Sequence, residues 1–311
     1  MSNKLEETLL KIPVIGSLIR FSKRIKLPGM GGLSLYDFLE TYIVGIAKGT
    51  FSFRASAIAF SFFMALFPFL LFILNLIPFV PIENFQQEFL LFIDEFLPPQ
   101  TASIFNPIIA DIAENPRGSL LSFTIILVIF LMSNGVNAIF SGFNSAFYIT
   151  QRRGFFKQYS AAVVVSVFLS LILFVTVIVL LVGQYFIVYL NENSQMLSRI
   201  NWIVILRLIL FFAMIYITIA TLYYFGTKES KSYRFFSIGA TITSILFVIT
   251  TYLFGIYIDN FSNYNELYGS IGAILILMTY IWVNSNLLLL GFELNVTIKK
   301  LRHRNEKEEI V

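Results

Sequence analysis

Apolar residues gather into six long blocks separated by short polar connections, at residues 55–80, 120–146, 161–190, 202–225, 235–258 and 271–297. Each block can cross a hydrocarbon core, which takes about 20 helical residues. The blocks are continuous and lack the period-two alternation of a transmembrane barrel strand. A helix also satisfies its own backbone donors and acceptors, so lipid tolerates it. The pattern predicts an all-α polytopic membrane protein with six transmembrane helices.

Two other segments carry stripes rather than blocks. Leu35, Phe38, Leu39, Tyr42, Ile43 and Ile46 recur at helical spacing, after a Pro-Gly-Met-Gly-Gly break at 28–32. Phe85, Phe89, Phe92 and Phe96 do the same opposite Glu88 and Glu95, up to the Pro98–Pro99 pair. Ile104, Phe105, Ile108, Ile109 and Ile112 then start a second apolar face. Such stripes predict amphipathic interfacial helices. They place one in an N-terminal region (1–54) and an outer helical hairpin at 82–115. With no linker or repeat to divide it, the chain is expected to form one membrane domain, the bundle at 55–297 and a tail at 298–311.

Composition and charge sharpen this picture. Of 311 residues, 57% are hydrophobic and only 13% charged, about half the charged share of a soluble domain. Nineteen of the 22 lysines and arginines fall before residue 55, in the second-to-third and fourth-to-fifth connections, or after residue 298. Acids such as Glu83, Asp94, Asp111, Glu192 and Asp259 populate the opposite loops. Positive-inside sorting therefore predicts both termini in the cytosol, with the lipid bilayer as the main partner. No signal peptide is expected, because the first strongly apolar run starts only near Ala55. The chain has no cysteine and one histidine, His303 in the basic tail. Disulfides and thiolate sites are excluded, and no metal or cofactor is expected.

Polar residues inside the blocks are the candidate chemistry. Asn134, Asn137, Ser141 and Asn144 share one face of the second span, with Gly135 and Gly142 on a neighbouring face. Asn286, Glu293 and Thr297 share a face of the sixth, with Asn284 and Ser285 beside it. Groups of this kind line a wet cavity or gate, or else bond across helices as packing glue worth about 1 kcal/mol each. Glu293 is the only carboxylate within a span. It lies 22 residues past Ile271, about 33 Å along the axis and near the cytosolic boundary. Arg54 sits at a similar depth, so the two are expected to pair, with Asn144 near enough to join. Arg207, about 9 Å into the fourth span, is expected to snorkel outward and meet a lipid phosphate or an outer acid.

Three stretches resemble the YihY/BrkB family of bacterial inner-membrane proteins, once labelled ribonuclease BN. They are Arg54-Ala-Ser-Ala-Ile-Ala-Phe-Ser-Phe-Phe-Met-Ala-Leu-Phe-Pro68; Ser133-Asn-Gly-Val-Asn-Ala-Ile-Phe-Ser-Gly-Phe-Asn144 with Ala146-Phe-Tyr148 and Arg152-Arg153; and Tyr268-Gly-Ser-Ile-Gly272 with Leu290-Gly-Phe-Glu-Leu-Asn295. The sequence departs where the family often has arginine, at Asn134. It departs again at Tyr223-Tyr-Phe-Gly-Thr227, where the family commonly has a proline turn. The resemblance carries over Gly269, Gly272, Glu293 and Asn295 as family positions without a catalytic role, and implies suspected transport.

Two functions follow as expectations. One is a transporter, flippase or exporter of a lipid-like or small polar substrate. The alternative is a non-transporting membrane scaffold or envelope-assembly factor, in which the asparagines are glue. Ribonuclease activity is not expected, because it would need converging carboxylates or histidines on the cytosolic side. There is no Walker loop, and the basic loops need no nucleic-acid partner. The chain is therefore expected not to be an enzyme; its oligomeric state is left open.

Overall fold

The computed structural model describes residues 21–25, 34–48, 51–76, 118–146, 148–149, 152–193, 202–229, 235–260 and 270–308. The long elements among them are α-helices: α1 (Leu35–Lys48), α2 (Phe51–Leu76), α3 (Gly118–Asn144), α4 (Phe155–Asn193), α5 (Trp202–Gly226), α6 (Ile238–Asn260) and α7 (Ser270–Glu308). Five contain an apolar stretch long enough to span a bilayer, in α3 through α7. In α2, 26 residues long, the described apolar stretch is Phe51–Leu66. The chain is an all-α integral membrane protein. The hairpin expected at 82–115 lies outside the described residues.

Three helices depart from their apolar blocks. α2 starts before residue 55 and so takes in Arg54. α4 starts before residue 161 and takes in Lys157 and Gln158. α7 continues past Thr297 to Glu308, reaching 39 residues or about 58 Å. Charged and amide residues close a hydropathy block without ending a helix, because their backbone still continues the i→i−4 ladder.

The helices pack as a ring in chain order. α2 lies on α3, α3 on α4, α4 on α5, α5 on α6 and α6 on α7, and α7 returns to α2. The described parts of the connections after α3 and α5, residues 145–146, 148–149, 152–154, 227–229 and 235–237, fall at one end of this ring, with the starts of α2, α4 and α6 and the ends of α3 and α5. This is the basic end, holding Arg152, Arg153, Lys157 and Lys228. Here α3 crosses the ring to touch α5 and α7. The crossing is built from aromatics: Phe143 stacks on Phe292 with centroids 4.0 Å apart and meets Tyr223 edge-on at 5.6 Å. All three are fully or almost fully buried.

α1 lies against this end as the amphipathic stripe predicts, its Phe38 and Tyr42 packing on Leu294, Ile298 and Leu301 of α7. A capping box starts it, with Ser34 Oγ accepting from the Asp37 amide at 3.2 Å and Asp37 accepting from the Ser34 amide at 3.0 Å. Around the bundle, Phe53, Phe155, Phe156 and Phe236 are all more than 70% exposed at helix starts of the same end. They form a ring of exposed aromatics around this end.

Close approach between α6 and α7 requires glycine twice. A Cβ on Gly291 would overlap Thr243 Oγ1 and crowd Tyr223 Oη, and one on Gly239 would overlap the Gly291 carbonyl. Gly142 is milder, its Cβ meeting Ile58 at 3.1 Å and Leu289 at 3.2 Å. Gly135 is roomy, at 3.7 Å from Phe62. The small-residue strip expected on α3 thus has one tight position, not two.

Candidate functional site

Along residues 291–298 the basic-end half of α7 is buried at every position, and each side chain there addresses a different neighbour. Phe292 meets the aromatic trio, and Glu293 faces α2. Leu294 meets α1, and Asn295 turns to α6. The centre of the site is the ion pair expected from depth alone: Arg54 Nη2 donates to Glu293 Oε1 at 3.1 Å, with both side chains almost wholly buried. Arg54 Nη1 donates to the Gly142 carbonyl at 2.8 Å. That carbonyl belongs to the last turn of α3, where the Ala146 amide bonds instead to Phe143. Arg54 therefore also closes a helix C-terminus, where a cation meets the negative end of the dipole. One face of its guanidinium lies over Phe51 at 5.6 Å.

Two tyrosines roof the pair. Tyr42 Oη of α1 donates to the Leu290 carbonyl at 3.0 Å, and Tyr148 Oη donates to the Thr41 carbonyl at 3.0 Å. Burial, and then the negative charge of Glu293, pushes the Tyr42 phenol up to about 12. Tyr148 rises for the same two reasons, with Glu40 adding to them. Lys300 Nζ stands 3.5 Å over the Tyr148 ring.

The polar face of α3 goes elsewhere. Gln158, in the first turn of α4, donates through Nε2 to Asn137 Oδ1 and Ser141 Oγ, both at 2.8 Å. Its Oε1 accepts from Asn144 Nδ2 at 2.8 Å. Asn144 does not join the Arg54–Glu293 pair as expected from sequence, because its donor is spent on α4. Asn134 is half-buried and has no hydrogen bond among the described residues. Asn286 donates back to the Trp282 carbonyl of its own helix at 2.7 Å. Among the described residues no hydrogen bond joins the polar faces of α3 and α7 directly, and Arg54 bridges the two helices. Arg207 lies in α5, and its side chain is outside the described set.

Gln158 was missed by the sequence reading, and its signal was the antiparallel connection, which sets the first turn of α4 opposite the last turns of α3. Gln158→Leu is expected to lose three interhelical hydrogen bonds and about 1–2 kcal/mol, read as a lower thermal midpoint in detergent. A midpoint unchanged within 1 °C would remove the clasp from the list of stabilising contacts.

Two more helix ends are closed from outside. Arg153 donates to the Phe225 and Thr227 carbonyls at 2.6 and 2.9 Å, covering the C-terminus of α5, and burial lowers its basicity. Asn295 Oδ1 accepts from the Gly239 amide at 2.8 Å while its Nδ2 donates to Ser237 Oγ at 2.9 Å. Ser237 Oγ itself accepts from the Ala240 amide, so α6 has an N-cap held in place from α7. Asn295→Leu is expected to cost about 1 kcal/mol and to speed amide exchange in the first turn of α6. Unchanged exchange there would refute the capping role.

The sequence profile described as "Virulence factor BrkB" matches residues 43–310, which includes Arg54, Glu293 and the rest of this site except Glu40, Thr41 and Tyr42 of α1. The chain is 30% identical over 258 residues to the ribonuclease-like protein YfkH of Bacillus subtilis (strain 168), covering 79% of this chain and 90% of that one. It is 24% identical over 280 residues to a UPF0761 membrane protein of Psychrobacter sp. (strain PRwf-1), covering 85% of this chain and 48% of the relative. This chain thus spans about half the length of the Psychrobacter protein. A UPF0761 membrane protein of Coxiella burnetii (strain Dugway 5J108-111) is 23% identical over 246 residues, covering 77% and 85%. No solved structure matches. With the family profile covering nearly all of the described helices, the chain belongs to the BrkB family of membrane proteins.

Proposed function

We propose that this protein moves a lipid-like or small polar substrate across the bacterial inner membrane, with six spans and both termini in the cytosol. The observation that carries this reading is the buried Arg54–Glu293 pair. It ties the first, second and sixth spans together at one end of the ring. A buried ion pair is a weak source of stability compared with apolar packing, and intramembrane charges mark substrate or ion routes. On this reading the pair and the Phe143–Tyr223–Phe292 trio form the cytosolic gate. The protein is not an enzyme on this view, since it needs only to bind and release. The test uses proteoliposomes holding headgroup-labelled phospholipid and a membrane-impermeant quencher. Faster loss of inner-leaflet signal than in empty vesicles, abolished in folded Glu293→Gln protein, is the expected result. Equal rates for protein-containing and empty vesicles, with labelled phospholipids of several headgroups, would overturn it.

A second reading is favoured by one specific observation. Asn137 and Asn144 of α3 and Asn284, Asn286 and Asn295 of α7 bond to neighbouring helices or to their own backbone, as a scaffold would require. In that case the same vesicles show no flux, and Gln158→Leu impairs only assembly.

A further inference from the structure

Arg54 holds Glu293 with less than its full grip. The Nε–H and Nη2 groups of a guanidinium form one edge of its fork, and a carboxylate matches that edge with two parallel bonds. Here Nη2 donates to Glu293 Oε1, while Nε is buried with no hydrogen-bond partner among the described residues. A buried cationic donor left in this way costs free energy unless something with lone pairs takes it. One turn beyond Glu293 on the same face, the Thr297 hydroxyl is fully buried and also without a hydrogen-bond partner among the described residues. Its behaviour differs from that of other hydroxyls in the same helix. Thr279 and Ser285 donate to the carbonyl four residues back, both at 2.8 Å, whereas Thr297 leaves its own turn alone. A charged fork edge and an unpartnered hydroxyl therefore flank a carboxylate at the end of the bundle ringed by Phe53 and Phe155.

Charge balance limits what can enter. Arg54 and Glu293 sum to zero, and a buried site strongly resists a net charge. Arginine keeps its proton at any relevant pH, so the group that can adjust is the Glu293 carboxylate. We propose that Arg54 is a binding site for a singly charged phosphate oxyanion, which replaces Glu293 on the fork as Glu293 takes up one proton. The balance is one anion and one proton in, with the site neutral before and after. The Nε–H, the Nη2–H and the Thr297 hydroxyl supply donors to the oxyanion, and Nη1 stays on the Gly142 carbonyl. A phosphodiester carries the required single charge; a dianionic phosphate would leave the site negative. The other ionisable groups that sense Glu293 are Tyr42 of α1 and Tyr148 of the α3–α4 turn, and next to Tyr148 lie Glu40 of α1 and Lys300 of α7. The tyrosines stay neutral near pH 7, Glu40 faces Tyr148, and Lys300 sits on the Tyr148 ring, so α3 contributes only a carbonyl. The inference rests on the transport reading, because a replaceable counter-ion is of use where a substrate must bind and leave.

Native mass spectrometry of the purified full chain at pH 6 and pH 8 tests it, with phosphatidylglycerol and inorganic phosphate titrated separately. The expected result is anion binding that weakens as pH rises, by up to tenfold per pH unit for one linked proton. Glu293→Gln is expected to bind as tightly at pH 8 as at pH 6. Arg54→Lys, which keeps the charge and loses the fork, is expected to weaken binding at least tenfold. Thr297→Val, nearly isosteric, is expected to weaken it several-fold, and serves if Arg54→Lys does not fold. Retention of phosphatidylglycerol identifies a lipid source; retention of inorganic phosphate alone identifies a free one. Absence of both from folded wild type, or binding indifferent to pH and to these three substitutions, overturns the proposal. Because binding is read without flux, Arg54-dependent binding in a protein that moves nothing would sink the transport reading alone. Flux with no such binding would sink this inference alone.

Discussion

Glu293→Gln is expected to lower stability by about 3–5 kcal/mol, a fall of about 10 °C in the thermal midpoint. The cause is the charge left behind. Arg54 is almost wholly buried, and a neutral amide does not offset its cation. Arg54→Met should cost a similar amount at pH 8 and less at pH 5.5, since an orphaned carboxylate can neutralise itself with a proton whereas an arginine cannot lose one. The double variant Arg54→Met with Glu293→Leu removes both charges. Its cost should be well below the sum of the two, about 1–2 kcal/mol, set mainly by the Gly142 carbonyl losing its donor. Midpoints of detergent-purified protein at the two pH values settle this. Single costs that add in the double variant would mean that the two groups do not interact.

The second large effect is steric. Gly291→Ala is expected to destabilise by about 1–3 kcal/mol, because its methyl group has no room beside Thr243 and Tyr223. Both hydroxyls are fixed there: Tyr223 Oη shares a 2.9 Å hydrogen bond with Thr243 Oγ1 and donates to the Leu288 carbonyl at 2.7 Å. The flexible end of a long side chain could give way, whereas a bonded pair in a helix seam cannot do so cheaply. Adding Thr243→Ala removes the nearest obstacle and should recover part of the loss. Gly135→Ala, with only ordinary contacts around its new methyl, should stay within about 0.5 kcal/mol of wild type. Equal midpoints for Gly291→Ala and Gly135→Ala would show that α6 and α7 can move apart at little cost.

What could be read from sequence divides along physical lines. The helices and their rough extents follow from apolar runs, because lipid demands a continuous apolar surface and a self-satisfied backbone. The pairing of Arg54 with Glu293 followed from depth, since both charges had to sit near the same boundary. The α1 stripe likewise gave its helix, because an amphipathic period is local information. The partner of a polar face is not local. Asn137, Ser141 and Asn144 lie on one face as spacing requires, yet only the packing of α3 against α4 shows that face turned to Gln158 rather than to α7. Gln158 itself lay hidden between Lys157 and Tyr159, ahead of the apolar block. Asn295 was marked by resemblance, but its capping role depends on which helix starts beside it. Spacing marks Asn286 as a candidate cavity group, and the structure adds that its amide nitrogen bonds the Trp282 carbonyl of its own helix.

The order of the ring has a consequence for how the protein is made. Neighbours in the chain are neighbours in space, so each newly inserted span can dock on the one before it, and most of the bundle can assemble during synthesis. The seam between α2 and α7 is different: Arg54 and Glu293 are 239 residues apart. Until the last span enters the membrane, Arg54 waits without its counter-charge. A chain stalled or cleaved before residue 293 therefore carries a lone arginine inside an unsealed ring, a defect that membrane proteases and insertion chaperones can detect. The same carboxylate proposed to let a substrate in is thus also the last counter-charge the ring receives during synthesis.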